Sequence, residues 1–176
     1  MRILGIDPGL GATGYGVVED GRALDYGTIT TDTKAQVPER LRALGQRLKQ
    51  VIRRARPEHC ALETLFFKGG GARSVIRSAE SRGTIIYTLA CAGIPVVELT
   101  PATIKLAVTG SGRASKGQMN YMVRALLKLG DRVPEHAADA LAAAYCLSRR
   151  LSCPGRSLRT AARSRNRWPV PPGRAQ

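Results

Sequence analysis

An aspartate ends the first apolar run of the chain. Residues 2–7, RILGID, have the composition of a buried strand, and DPG at 7–9 makes a turn. A carboxylate at the end of such a strand is costly without a cation or strong donors. Any fold this chain adopts must therefore bring a partner to Asp7. The next segments narrow the choice. Residues 13–19 (TGYGVVE) alternate as a second strand, EDGR at 19–22 is a hairpin turn of the Asp-Gly type, and residues 23–30 (ALDYGTIT) read as a third strand. The chain opens as an antiparallel meander.

The period then changes. Leu41, Leu44, Leu48, Val51 and Ile52 share one face of a helix over 38–56, which Pro57 ends. HCALETLFF at 59–67 is an almost wholly apolar run that suits a central parallel strand. A glycine-rich loop, KGGGAR, leads to a helix over 73–92, and residues 94–99 (IPVVEL) give a fifth strand. Helices are expected over 101–108, 116–129 and 134–150, with TGSGRAS between the first two. The order predicts an α/β fold: a mixed five-stranded sheet with helices on both faces. The helix over 73–92 is apolar on more than one face (Val75, Ile76, Ala79, Ile85, Ile86, Leu89, Ala90), so it is either deeply buried or covered by another subunit.

Length allows one domain, placed at 1–150, followed by a basic tail at 151–176 whose Pro, Gly, Arg and Ser content predicts disorder. There is no apolar stretch of membrane-spanning length and no signal-peptide pattern at the start, so a cytoplasmic protein is expected. Four cysteines, Cys60, Cys91, Cys146 and Cys153, form no C-x-x-C pair. The first three lie in apolar runs and read as reduced core residues, the last as a thiol in the polar tail. The formal net charge is +15. Eight Arg and no acid follow residue 148, leaving 20 basic against 13 acidic side chains, or +7, in the body. A body that is itself basic points to a polyanion such as nucleic acid.

Only 13 acids are present, and most fall in turns or on polar faces. Four interrupt apolar runs: Asp7, Glu63 in CALETLFF, Glu98 in PVVELT and Asp139 in HAADALAAAY. No Lys or Arg stands beside Asp7, Glu63 or Asp139 at strand or helix spacing. Carboxylates that converge without a base favour a divalent cation, and oxygen ligands suit Mg²⁺ or Mn²⁺. His136, three residues before Asp139, shares its helical face and is a candidate fourth ligand that would tilt the site toward Mn²⁺. Glu98 reads instead as a strand-end residue bonding nearby backbone. Two ions about 3.5–4 Å apart are a common arrangement for in-line phosphodiester hydrolysis. Acids that hold metal, in a basic body that holds phosphates, fit that chemistry.

Four stretches, ILGIDPGLGATGYGVV, ALETLFF, GSGRASKGQMNYMVRALL and HAADALAAAYC, together resemble the RuvC-type Holliday junction resolvases of bacteria, over about residues 2–148 in the same order. The resemblance implies a ribonuclease-H-like fold and a metal-dependent endonuclease acting in DNA recombination and repair. It also implies a homodimer that nicks two opposed strands of a four-way DNA junction symmetrically, leaving 5′-phosphate and 3′-hydroxyl ends. The family's metal positions map onto Asp7, Glu63, His136 and Asp139, with Asp in place of His136 in its best-known members. Phe66 falls at an aromatic position thought to stack on a base, a contact worth about 1–3 kcal/mol. Lys105 and Lys116 fall at basic positions near the cleft that would contact phosphate. Lys68 and Arg73 flank the glycine-rich loop, another DNA-binding candidate. The resemblance further implies partnership with the RuvA–RuvB branch-migration complex. Two rivals remain open at this point. One is a non-catalytic nucleic-acid-binding module on the same fold. The other is an actin-like ATPase, suggested by GIDPG but lacking the duplicated subdomain and second phosphate loop.

Overall fold

The computed structural model describes residues 1–64, 72–130 and 133–152, without the side chains of residues 72 and 73. Five strands and five helices form: β1 (Arg2–Asp7), β2 (Ala12–Glu19), β3 (Arg22–Thr30), α1 (Val37–Ala55), β4 (His59–Glu63), α2 (Ala72–Cys91), β5 (Val96–Leu99), α3 (Pro101–Thr109), α4 (Lys116–Leu127) and α5 (Glu135–Ser152). The predicted order holds. Most boundaries lie within two residues of those expected, and two of the shifts bear on the site or the tail. β4 stops at Glu63 with Thr64 outside it, although a strand was expected through 67; residues 65–67 lie outside the described residues. α5 runs through Ser152, two residues into the expected tail, because Leu147 and Ser148 are still buried and the helix has a face to pack there.

The strand order is β3-β2-β1-β4-β5. β2 is antiparallel to both β1 and β3, while β4 is parallel to β1 and to β5. The chain thus leaves β1 toward one edge of the sheet and leaves β4 toward the other. A crevice opens outside the carboxyl ends of strands at such a switch point. Asp7 is the last residue of β1 and Glu63 the last of β4, so the topology alone carries both to that crevice.

Pleating sorts the side chains. Ile3, Val18, Ala61 and Leu99 pack with α3, α4 and α5 on one face; Leu4, Ile6, Val17, Cys60 and Leu62 pack with α1 and α2 on the other. Asp7 and Glu63 share parity with Ile3 and Ala61, and so point to the α5 side. α5 lies unusually close to the sheet there. A Cβ added at Gly5 would stand 1.9 Å from the Ala140 carbonyl oxygen, and one at Gly14 would stand 1.9 Å from the carbonyl oxygen of His136. Gly5 pairs with Gly16 across β1–β2 and Asp7 pairs with Gly14. Facing this floor is an alanine-rich helix with Ala137, Ala140 and Ala144 fully buried. Small residues on both sides let backbone rest on backbone.

Two of the three cysteines expected in the core lie there, and the third does not. Cys60 and Cys146 are buried, and burial pushes both thiols up, so they are inert as nucleophiles. Cys91 is exposed, because the last residue of α2 lies beyond the part of the helix that Leu89 anchors. Cys153 lies outside the described residues.

Candidate metal and phosphodiester site

A cleft of about 370 Å³ opens at the switch point. Asp7, Glu63 and Asp139 line it, together with Lys105 and Lys116. Each arrives for a local reason. Asp7 and Glu63 end parallel neighbours. Asp139 stands one turn into α5, on the helix that the glycine floor holds down. Lys105 comes from α3, which starts as soon as β5 ends: Thr100 caps it by accepting from the Thr103 amide, and Pro101 occupies the first turn. Lys116 is the first residue of α4, fixed by a capping box in which Ser115 accepts from the Gln118 amide and the Gln118 side chain accepts from Ser115.

A lysine at a helix N-terminus opposes the helix dipole. Here two carboxylates from α5 offset it. Lys116 Nζ is ion-paired to Glu135 and lies 3.5 Å from Asp139 Oδ2. The bond to Glu135 holds the Lys116 amine above its usual range, and the same bond holds the Glu135 carboxyl below its own. Both side chains are more than half exposed, so water and salt screen the pair. Glu135, one of the acids that the sequence leaves in turns or on polar faces, is the lysine's partner. Nothing local in the sequence connects positions 116 and 135.

Asp139 is held in tension. Burial raises its carboxyl above the usual range, Lys116 counteracts in part, and the negative charge of Asp7 raises it further. A folded pKa above the unfolded one means the native state binds more protons over that window. Stability therefore falls as pH rises from the ordinary carboxylate range through the raised value. Asp139→Asn, which removes the charge, is expected to raise the Tm in metal-free buffer at pH 7 by about 2 °C or more. A scan at pH 7 and at pH 3 checks this: the gain should vanish at the lower pH, where the native carboxyl is already protonated.

His136 is not part of the cleft lining, but its Nδ1 lies 2.7 Å from Asp7 Oδ2. In the neutral ring, an Nδ1–H donated to Asp7 Oδ2 leaves the lone pair of Nε2 free for a cation. Glu98 does not join the group. It pairs with Leu62 across β4–β5, so it sits on the opposite pleat and faces α2. There it forms an ion pair with Arg82 at 2.8 Å, a side-chain partner rather than the backbone expected from the sequence. Phe66, Lys68 and the side chain of Arg73 lie outside the described residues.

The donor set suits a hard divalent cation: three carboxylates around one cleft, one of them destabilised by its own charge. As they stand, no three His, Cys, Asp or Glu side chains among the described residues form a ready cation cage. The carboxylates are gathered but not closed. Lys116 meanwhile supplies the positive charge beside Asp139.

Comparisons with known proteins bear on the fold and the family. A crossover junction endodeoxyribonuclease RuvC from Halorhodospira halophila is 44% identical over 165 residues, covering 92% of this chain and 98% of the relative. The solved structure of Thermus thermophilus RuvC in complex with Holliday junction substrate matches with a TM-score of 0.79 at 32% identity, over 84% of this chain and 93% of that one. The yeast mitochondrial Holliday junction resolvase Ydc2, at 16% identity over 84% of this chain and 77% of its own, shares the fold with a TM-score of 0.61. The five-stranded mixed sheet is thus of the ribonuclease-H-like type. A family model described as crossover junction endodeoxyribonuclease RuvC matches residues 3–147, and the chain belongs to that family.

Proposed function

We propose that this chain is a metal-dependent, structure-selective endonuclease that resolves four-way DNA junctions by paired nicks. The carrying observation is the cleft itself, where three carboxylates and two lysines from five separate elements face one space. Carboxylates alone repel a phosphodiester, and lysines alone only bind it. Their combination fits hydrolysis.

Asp7, Glu63 and Asp139 would hold divalent cation, with His136 Nε2 available as a fourth donor. A bound cation there would supply a more acidic water and offset charge on the leaving 3′ oxygen, leaving 5′-phosphate and 3′-hydroxyl ends. The chain's own residues do the rest. Lys105 and Lys116 contact the non-bridging phosphate oxygens and stabilise the charge that builds in the pentavalent state. Lys116 can turn from Asp139 to phosphate once that carboxylate has another cation, with Glu135 keeping its amine in place. Asp7 orients the His136 ring through the Nδ1 bond.

The test is a synthetic mobile four-way junction incubated with Mg²⁺ and, separately, Mn²⁺, with nicks mapped on all four strands. Symmetric nicks on two opposed strands support the reading; intact DNA across a broad range of metals would favour a binding module without catalysis. His136 sets the metal preference, since imidazole suits Mn²⁺ better than Mg²⁺. His136→Asp is expected to raise the Mg²⁺-to-Mn²⁺ activity ratio about tenfold. An unchanged ratio would remove His136 from the ligand set.

Paired nicks need two sites. The outer face of α2 supports a homodimer: Ile76 is 56% and Tyr87 69% exposed, while Ile85 and Leu89 on its inner face are fully buried. The apolar arc seen in the sequence therefore divides into a core side and an uncovered side. A monomer mass in sedimentation equilibrium would overturn this. Among the described residues no helix is long and apolar enough to cross a membrane. Work on DNA in the cytoplasm, alongside a RuvA–RuvB-type branch-migration complex, is the setting proposed; absence of any co-purification with such a complex on a junction would count against that partner.

A further inference from the structure

Among the described residues Arg82 is the only charged side chain that is buried, at 9% exposure. A guanidinium taken out of water needs an ion partner and acceptors for its remaining protons. Arg82 has both. Its Nη2 reaches Glu98 Oε1 at 2.8 Å, and its Nη1 donates to the backbone carbonyl of Glu63 at 2.5 Å. It rises from α2, which packs on the face of the sheet opposite α5, and its hydrogen bond toward the site runs to the main chain of β4.

That carbonyl has lost a donor of its own sheet. β1 and β4 run parallel with Gly5 opposite Ala61 and Ile6 opposite Leu62. Extending the register by one rung puts the amide of residue 8 where it would donate to the Glu63 carbonyl. Residue 8 is proline and has no N–H. The turn that ends β1 at the carboxylate thus removes the last ladder donor that β4 would receive. On its other edge β4 is still held, since the Thr64 amide donates to the Leu99 carbonyl at 2.9 Å.

We infer that Arg82, locked by Glu98, is a positioning residue for the nuclease site. It replaces the donor that Pro8 lacks and fixes the peptide plane from which the Glu63 side chain enters the cleft. The inference rests on the reading of Glu63 as a cation-holding carboxylate. Glu98, the one interrupting acid outside the cleft, thereby gains a purpose, since it keeps Arg82 paired and aimed. Groups that orient a ligating residue commonly change metal affinity or activity by about 10–100-fold when removed.

The test uses the full chain, unmodified and as Arg82→Met, Arg82→Lys and Glu98→Gln. Three quantities are read: Mn²⁺ affinity by calorimetry without DNA, junction affinity in chelator, and the single-turnover nicking rate on saturating junction with Mn²⁺. For Arg82→Met the expected result is about tenfold weaker Mn²⁺ binding and at least about tenfold slower nicking, with junction affinity within twofold. Arg82→Lys and Glu98→Gln should lose less, in the same two quantities. A lower Tm with Mn²⁺ affinity and nicking within twofold of the unmodified chain would make the pair merely structural and overturn the inference. If Arg82→Met does not fold, Arg82→Lys decides on the same criteria. The unmodified chain separates the two readings: if it fails to nick any junction the nuclease proposal fails, whereas nicking by it and equally by all three variants sinks only the role of Arg82.

Discussion

Asp7→Asn is expected to bind a four-way junction as tightly as the unmodified chain and to nick it at least about 1,000-fold more slowly, a loss equivalent to about 4 kcal/mol of transition-state stabilisation. The separation of binding from chemistry follows from the geometry. Asp7 sits at the end of β1 among acids, so removing its charge takes nothing from phosphate binding by Lys105 and Lys116. It also relieves repulsion, since the charge of Asp7 is one of the causes that raise the carboxyl of Asp139. Junction affinity measured in chelator should therefore be equal or slightly higher. Gel-shift titration beside single-turnover nicking with Mg²⁺ and Mn²⁺ checks both halves. Nicking within tenfold of the unmodified chain would remove Asp7 from the catalytic centre, and with it the proposed role of the cleft.

The second large effect is expected from a methyl group. Gly14→Ala places a Cβ 1.9 Å from the His136 carbonyl oxygen and 2.4 Å from its carbonyl carbon. Both are backbone atoms, so no side chain can swing aside. α5 must lift from the sheet, or β2 must bend. Overpacking of this kind costs about 1–3 kcal/mol or more, which for a chain of this size lowers the Tm by at least several degrees. The activity loss should exceed what instability explains, because a shift of about 1 Å in the reacting groups can cost about 100-fold. His136 and Asp139 ride on the displaced turn. Nicking assayed well below the Tm, where the variant is fully folded, separates the two effects. A variant that is only less stable, with a normal rate at low temperature, would show that α5 can settle elsewhere without moving its carboxylate.

The fold was largely legible because its signals are local and periodic. The turn at EDGR and the row Leu41, Leu44, Leu48, Val51, Ile52 name their elements without reference to anything distant, and the family resemblance then fits the element order. The three carboxylates were legible for a different reason: an acid inside an apolar run stands out wherever it folds. What the sequence could not show was parity across strands. Glu63 and Glu98 look alike as strand-end acids, yet one faces α5 and the other α2, because Leu62 rather than Glu63 lies opposite Glu98. A register is a non-local quantity, and a shift of one residue exchanges the two faces. The partner of Lys116 was hidden for the same reason, since Glu135 reaches it only after α4 and α5 have packed. Cys91 was misjudged because apolar neighbours in sequence do not reveal where a helix stops being covered.

The bond between His136 and Asp7 joins positions 129 residues apart in the chain. During synthesis the ribosome makes β1 and β4 well before α5, so a nascent chain carries Asp7 and Glu63 for much of translation without Asp139. Truncated products that end before α5 would expose the glycine floor but have no Asp139. On the proposed reading of Asp139, the chain cannot cut DNA until α5 has been delivered and docked.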